Sequence, residues 1–119
     1  MKISEIRTLL GADLLCGEEL LDREVSSACC SDMMSDVLAY VKDQGVLLTG
    51  LVNPQVIRTA NMMDMVCIVF IRNKAPNETM LELAREFDIV VMQSSLRAFE
   101  ACGILYEGGL RGKPGEVHV

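Results

Sequence analysis

VLLTG (46–50), MVCIVFI (65–71) and IVVM (89–92) decide the fold, because each is a short apolar run without polar alternation. A strand wet on one face alternates apolar and polar residues, whereas a continuous run needs cover on both faces. Helix signals lie between the runs. In NPQVIRTANMMD (53–64), Asn53 is a strong N-cap type and Pro54 suits the first helical position, where a missing N–H costs nothing. Asn77 caps a second helix, ETMLELAREFD (78–88), and a third starts at Ser94 or Ser95 and runs to about Tyr106. From residue 46 the order is strand–helix three times over. That alternation specifies parallel strands joined by right-handed crossovers. The fold class expected is α/β, a single three-layer domain with a mostly parallel sheet flanked by helices.

Towards the N-terminus the signals are shorter. ISEIRTLL (3–10) suits a helix stopped at Gly11, and ADLLC (12–16) reads as a short strand. A charged connection (18–23) leads to a weaker strand, EVSSACC (24–30). SDMMSDVLAYVKDQG (31–45) then reads as a helix. Ser31, Asp32 and Ser35 are cap types, Val37, Leu38 and Val41 have helical spacing, and Gly45 can close it. The last stretch, GGLRGKPGEVHV, is Gly-rich and expected to fray. The domain is placed at 1–110 and a flexible tail at 111–119.

A chain of 119 residues fits one domain, and 50% apolar content argues against disorder. With no Trp, three Phe, two Tyr and eight Met, the core must be aliphatic. The net charge of −6, without a dense Lys/Arg run, makes nucleic acid a poor partner. No segment approaches the ~20 apolar residues of a membrane span. MKISEIRTLL is not a signal peptide, so a cytoplasmic setting is the expectation. Cys16, Cys29, Cys30, Cys67 and Cys102 are odd in number and form no C-x-x-C, which points to simple thiols. Cys29 and Cys30, adjacent in a strand, would face opposite ways, which makes joint metal ligation awkward.

Catalytic signals are missing. The single histidine, His118, is the penultimate residue, so neither a His-based triad nor a His metal cluster has members. GGLRGKP (108–114) falls short of a phosphate loop, since Gly108 and Gly112 enclose three residues and Pro114 stands where Ser or Thr must bind magnesium. Asp36, Glu78 and Glu82 read as solvated. No enzyme activity, metal or cofactor is expected.

A binding rim is expected instead. Ligands of open parallel sheets sit beyond the carboxyl ends of the strands. The residues that should lie there are Ser31, Asp32, Thr49, Gly50, Asn53, Pro54, Gln55, Arg58, Arg72 and Ser94. TGLVNPQ (49–55) is the best part of it. Thr49 supplies a hydroxyl, Gly50 allows close approach, Asn53 and Gln55 supply amides, and Arg58 or Arg72 could neutralise an anion. The plainer reading makes Asn53 a helix cap, Thr49-Gly50 a turn and both arginines solvated. In the last helix, Arg97, Glu100 and Glu107 share a charged stripe that Ile104 interrupts. Leu96, Ala98, Phe99, Ala101, Cys102, Leu105 and Tyr106 cover most of the remaining circumference. A helix so apolar needs cover on more than one side, and a second copy of the chain would supply it.

KISEIRTLLGADLLCG (2–17), SDMMSDVLAYV (31–41), LLTGLVNPQVIRTA (47–60) and FEACGILYEGGL (99–110) together resemble the DRTGG domain family. Such domains occur within phosphotransacetylases, within CBS-containing pyrophosphatases and as stand-alone proteins. They are similar to the N-terminal domain of HPr kinase/phosphorylase. The resemblance implies an α/β fold, frequent dimerisation and a non-catalytic regulatory or ligand-sensing role, with a small anionic ligand such as a nucleotide. For the stand-alone forms it also implies an alternative, an adaptor beside an iron-only hydrogenase or similar redox complex. The Asp-Arg-Thr-Gly-Gly signature is absent, and Gly50-Leu51-Val52-Asn53-Pro54-Gln55 stands at about its place.

Overall fold

The computed structural model describes residues 1–40 and 44–112. Val41, His118 and the tail from residue 113 onward lie outside the described residues. The elements follow as α1 (Ile3–Leu10), β1 (Asp13–Cys16), a 3₁₀ turn (Glu18–Leu20), β2 (Ser27–Cys30), α2 (Met34–Tyr40), β3 (Gly45–Thr49), α3 (Pro54–Met62), β4 (Cys67–Phe70), α4 (Glu78–Glu86), β5 (Val90–Gln93) and α5 (Ala98–Glu107). The sheet order is β1-β5-β4-β3-β2. Strands β2 to β5 are parallel, and β1 closes one edge antiparallel to β5.

The continuous apolar runs are buried on both faces, and strand alternation sorts them. Val46, Leu48, Cys67, Val69, Val90 and Met92 pack with Ile3, Ile6 and Leu10 of α1 and with Ala101 and Leu105 of α5. Leu47, Ile68, Phe70 and Val91 pack with Val37 of α2, Val56, Ile57 and Ala60 of α3, and Met80 and Ala84 of α4. The result is three layers with two cores. Successive crossovers of one hand that always step the same way must put α2, α3 and α4 on one face. Each large side chain fully removed from water contributes about 1.5–3 kcal/mol.

Local chemistry sets the helix ends. The Asn53 side chain accepts the Gln55 N–H at 2.8 Å, with Pro54 next in line. Asn77 accepts the Met80 N–H at 2.9 Å. Gly11, at φ 57°, ends α1 in the left-handed conformation that glycine adopts without strain.

Three boundaries differ from expectation. Gly45 does not close α2; it is the first residue of β3, opposite Ser27. Neither Ser94 nor Ser95 starts the last helix, which begins at Ala98. The Ser94 backbone N–H continues the ladder to the Phe70 carbonyl, and its hydroxyl donates to the Leu10 carbonyl at 3.0 Å. These bonds compete with a capping role. Strand β2 is confined to Ser27–Cys30, and Glu24 makes an isolated bridge to Lys2.

Gly17 follows a register shift in β1 between Leu14 and Cys16. Its φ is 91°, and a Cβ there would lie 2.9 Å from the Val90 Cα. Gly17→Ala is therefore expected to cost about 1–3 kcal/mol, since both backbone conformation and backbone contact oppose a side chain. Urea denaturation checks this; an unchanged midpoint would mean that the β1–β5 edge is arranged differently.

Candidate functional site

The carboxyl ends of β2, β3 and β4 meet at Asp32. Its Oδ1 accepts the Gly50 N–H at 2.7 Å and the Thr49 hydroxyl at 3.1 Å. Its Oδ2 accepts Nη2 of Arg72 at 2.9 Å. Thr49 is fully buried, and its oxygen also accepts the Leu51 N–H at 3.1 Å. One carboxylate thus ties together the residues that follow three parallel strands. The Gly50 N–H first, then the Arg72 guanidinium and the Thr49 hydroxyl, hold the Asp32 carboxyl below its usual range against the opposing effect of burial. Side-chain exposure is 38% for Arg72 and 48% for Asp32. At that exposure the ion pair alone contributes only about 0–1 kcal/mol.

Backbone geometry sustains the arrangement. Arg72 and Asn73 have φ of 57° and 58°, two consecutive left-handed residues. Such conformations are uncommon outside glycine and need external bonds to persist. The Arg72 N–H donates to the Leu96 carbonyl at 2.8 Å and the Asn73 N–H to the Ser94 carbonyl at 2.9 Å. The guanidinium then lies against Gly50, where a Cβ would collide with it. A side chain at this position would push the end of Arg72 aside, so glycine lets the guanidinium sit where it does.

The same bonds cross a second place on the sheet edge. Helix α4, after β4, packs on one face of the sheet, and α5, after β5, packs on the other. A crevice for ligands opens where successive helices part in this way. Here the two backbone bonds just described bridge the ends of β4 and β5, as does the Gln93 amide, which donates to the Asn73 carbonyl at 3.2 Å.

The expected rim residues separate accordingly. Asp32, Thr49, Gly50 and Arg72 form one bonded cluster. Ser31 lies beside it and makes a local turn, its hydroxyl accepting the Met33 N–H at 3.0 Å. Asn53 is engaged as a helix cap, Pro54 and Gln55 open α3, and Arg58 is exposed one turn further along. Ser94 is buried at the β5 end, bonded to Leu10 rather than to the cluster. Among the described residues no group of three or more His, Cys, Asp or Glu is placed to hold a metal ion. No helix among them is long and apolar enough to cross a membrane.

No family model matches the sequence, and no curated protein matches it. A solved structure does. The crystal structure of the CBS and DRTGG domains of the regulatory region of Clostridium perfringens pyrophosphatase, complexed with its activator diadenosine tetraphosphate, superposes with a TM-score of 0.73. The match covers 98% of this chain and 52% of that one at 15% identity. This chain thus spans about half the length of the regulatory region, and at that identity the likeness is one of fold. The five-stranded, mostly parallel α/β architecture described above is shared with part of a CBS and DRTGG regulatory region.

Proposed function

We propose that this chain is a DRTGG-type regulatory domain, spanning residues 1–110, that does no chemistry of its own. It responds to a small anionic ligand such as a nucleotide at the rim built around Thr49 to Arg58 and Arg72. The observation that carries this reading is the Asp32 cluster, which links three strand ends through groups an anion can use. The Gly50 N–H and the Arg72 guanidinium are anion donors, and Asp32 already occupies them as an internal anion. A ligand phosphate or carboxylate displaces Asp32, and the strand ends it joined are released. That exchange converts binding into a conformational signal. The activator-bound regulatory region with the same fold supports a ligand-sensing role and offers no support for an adaptor beside a hydrogenase. The five cysteines are all unpaired thiols, which supports a reducing, cytoplasmic setting.

The test is thermal unfolding with a panel of AMP, ATP, diadenosine tetraphosphate and inorganic phosphate. A ligand at a hundred times its Kd stabilises by about 2.7 kcal/mol, a rise of several degrees in Tm for a chain this size. No rise with any of them at millimolar concentration would contradict the reading.

A homodimer through α5 has its own support. Phe99 is 87% exposed and Tyr106 59%, on a helix whose other side carries the buried Ala101 and Leu105. Large exposed aromatics are the residue types that anchor interfaces. Light scattering after size exclusion is expected to give twice the 13.1 kDa chain mass, and Phe99→Asp to return it to a single chain. A wild-type monomer at high concentration would end this part of the proposal.

A further inference from the structure

A pocket of about 120 Å³ lies between the edge strand β2 and α5, and it shares no residue with the Asp32 cluster. Leu48, Leu105 and Leu110 supply apolar walls, and all three are buried members of the core beneath α1 and α5. Cys29, Cys30 and Cys102 also line it. Burial pushes the Cys29 thiol up, and the Cys30 thiol up to about 12, so both are neutral at neutral pH and bring no negative charge to the pocket.

Arg111 completes the lining, and the fold holds it in place. Its carbonyl accepts the Ala28 N–H at 2.9 Å, which ties this segment to the outer edge of β2. Its Nη1 donates to the Tyr106 carbonyl at 2.8 Å and to the Leu110 carbonyl at 3.0 Å. The guanidinium stacks on the Tyr106 ring, 3.8 Å from its centroid. Stacking occupies one face of the group and Nη1 one corner, which leaves the Nε and Nη2 N–H groups as a fork in the guanidinium plane. Among the described residues no carboxylate pairs with Arg111. A positioned cation beside neutral, apolar walls suits an anion that carries its own apolar body. We infer that this pocket is a second ligand site, for a short-chain fatty acid whose apolar chain fills the pocket and whose carboxylate takes the Nε–Nη2 fork of Arg111. Size sets the chain length. At about 30 Å³ for a water-sized group in a liquid, the pocket holds about four carbon atoms. A nucleotide is far too large for it, so this site stands or falls independently of the rim.

The full chain is titrated with sodium butyrate and, separately, with butanol, and followed by nitrogen-15 NMR. Saturable shifts are expected at the amides of Cys30, Cys102 and Arg111, with butyrate binding about tenfold more tightly than butanol because only the carboxylate engages the guanidinium. From acetate to butyrate each methylene is expected to tighten binding about fourfold, as burying one CH₂ does, and octanoate to bind no more tightly than butyrate. Arg111→Met is expected to lower butyrate affinity to that of butanol while leaving butanol binding unchanged. Four results would each overturn the inference: no saturation by butyrate at tens of millimolar, shifts at Gly50 and Arg72 in place of the pocket amides, equal affinity for butyrate and butanol, or undiminished butyrate binding by Arg111→Met. Where that variant fails to fold, the comparison of butyrate with butanol on the wild type decides.

Discussion

Asp32→Ala is expected to lower stability and raise anion affinity at once. The substitution removes the acceptor for three donors. Hydrogen bonds to a charged group are each worth about 1.5–3 kcal/mol when buried. Partial exposure of Asp32 and Arg72 screens them, so the net loss is about 1–2 kcal/mol. The same change leaves the Gly50 N–H and the Arg72 guanidinium without their internal anion. An external phosphate no longer competes with a tethered carboxylate, and its affinity rises on the order of tenfold, equivalent to about 1.4 kcal/mol. Urea unfolding and calorimetric titration with nucleotide read the two effects separately. A variant that loses stability and also loses affinity would show that Asp32 shapes the rim for the ligand rather than standing in for it.

The pH dependence has a definite sign. The Asp32 carboxyl titrates lower in the folded chain than in the unfolded chain. Its contribution to stability is therefore fully present above the unfolded value, about 3.9, and is lost as pH falls through the folded value. Wild type is expected to lose stability more steeply than Asp32→Ala below about pH 4. Parallel acid limbs would contradict the cluster.

Phe70→Ala is expected to have the largest effect on folding. Phe70 ends the central strand β4 and is fully buried, in the core beneath α2, α3 and α4. Truncating such a ring costs about 3–5 kcal/mol, combining lost transfer energy with a cavity. Domains typically have about 5–15 kcal/mol in total, so the variant keeps a fraction of its stability. Met62→Ala provides the contrast, since Met62 is 67% exposed, and it is expected to shift stability by less than about 0.5 kcal/mol. Equal effects from the two would contradict the burial of Phe70 beneath the helices and the exposure of Met62 at the end of α3.

The three-layer architecture was legible because β3, β4 and β5 announce themselves as unbroken apolar runs with capped helices between them. What a strand pairs with is set by tertiary contacts, and nothing local in ADLLC marks β1 as the antiparallel neighbour of β5. Gly45 illustrates the limit at a boundary, since a glycine after a helical pattern reads as a stop, yet here it pairs with Ser27 as a strand residue. Ser94 is a cap type whose hydroxyl is drawn to Leu10, a residue far away in sequence. The rim was readable as a place, since strand ends before helices are polar in this chain. Its internal wiring was not, because the bond from Asp32 to Arg72 spans two intervening strands.

Nitrogen-15 NMR of the full chain, titrated with diadenosine tetraphosphate or ATP, reports directly on whether a bound anion displaces Asp32. Saturable shifts are expected at the backbone amides of Asp32, Gly50 and Arg72, together with loss of the strong hydrogen-bond signature of the Gly50 amide as Asp32 is displaced. Binding that leaves those three amides unmoved and perturbs only the surface of α5 would contradict it.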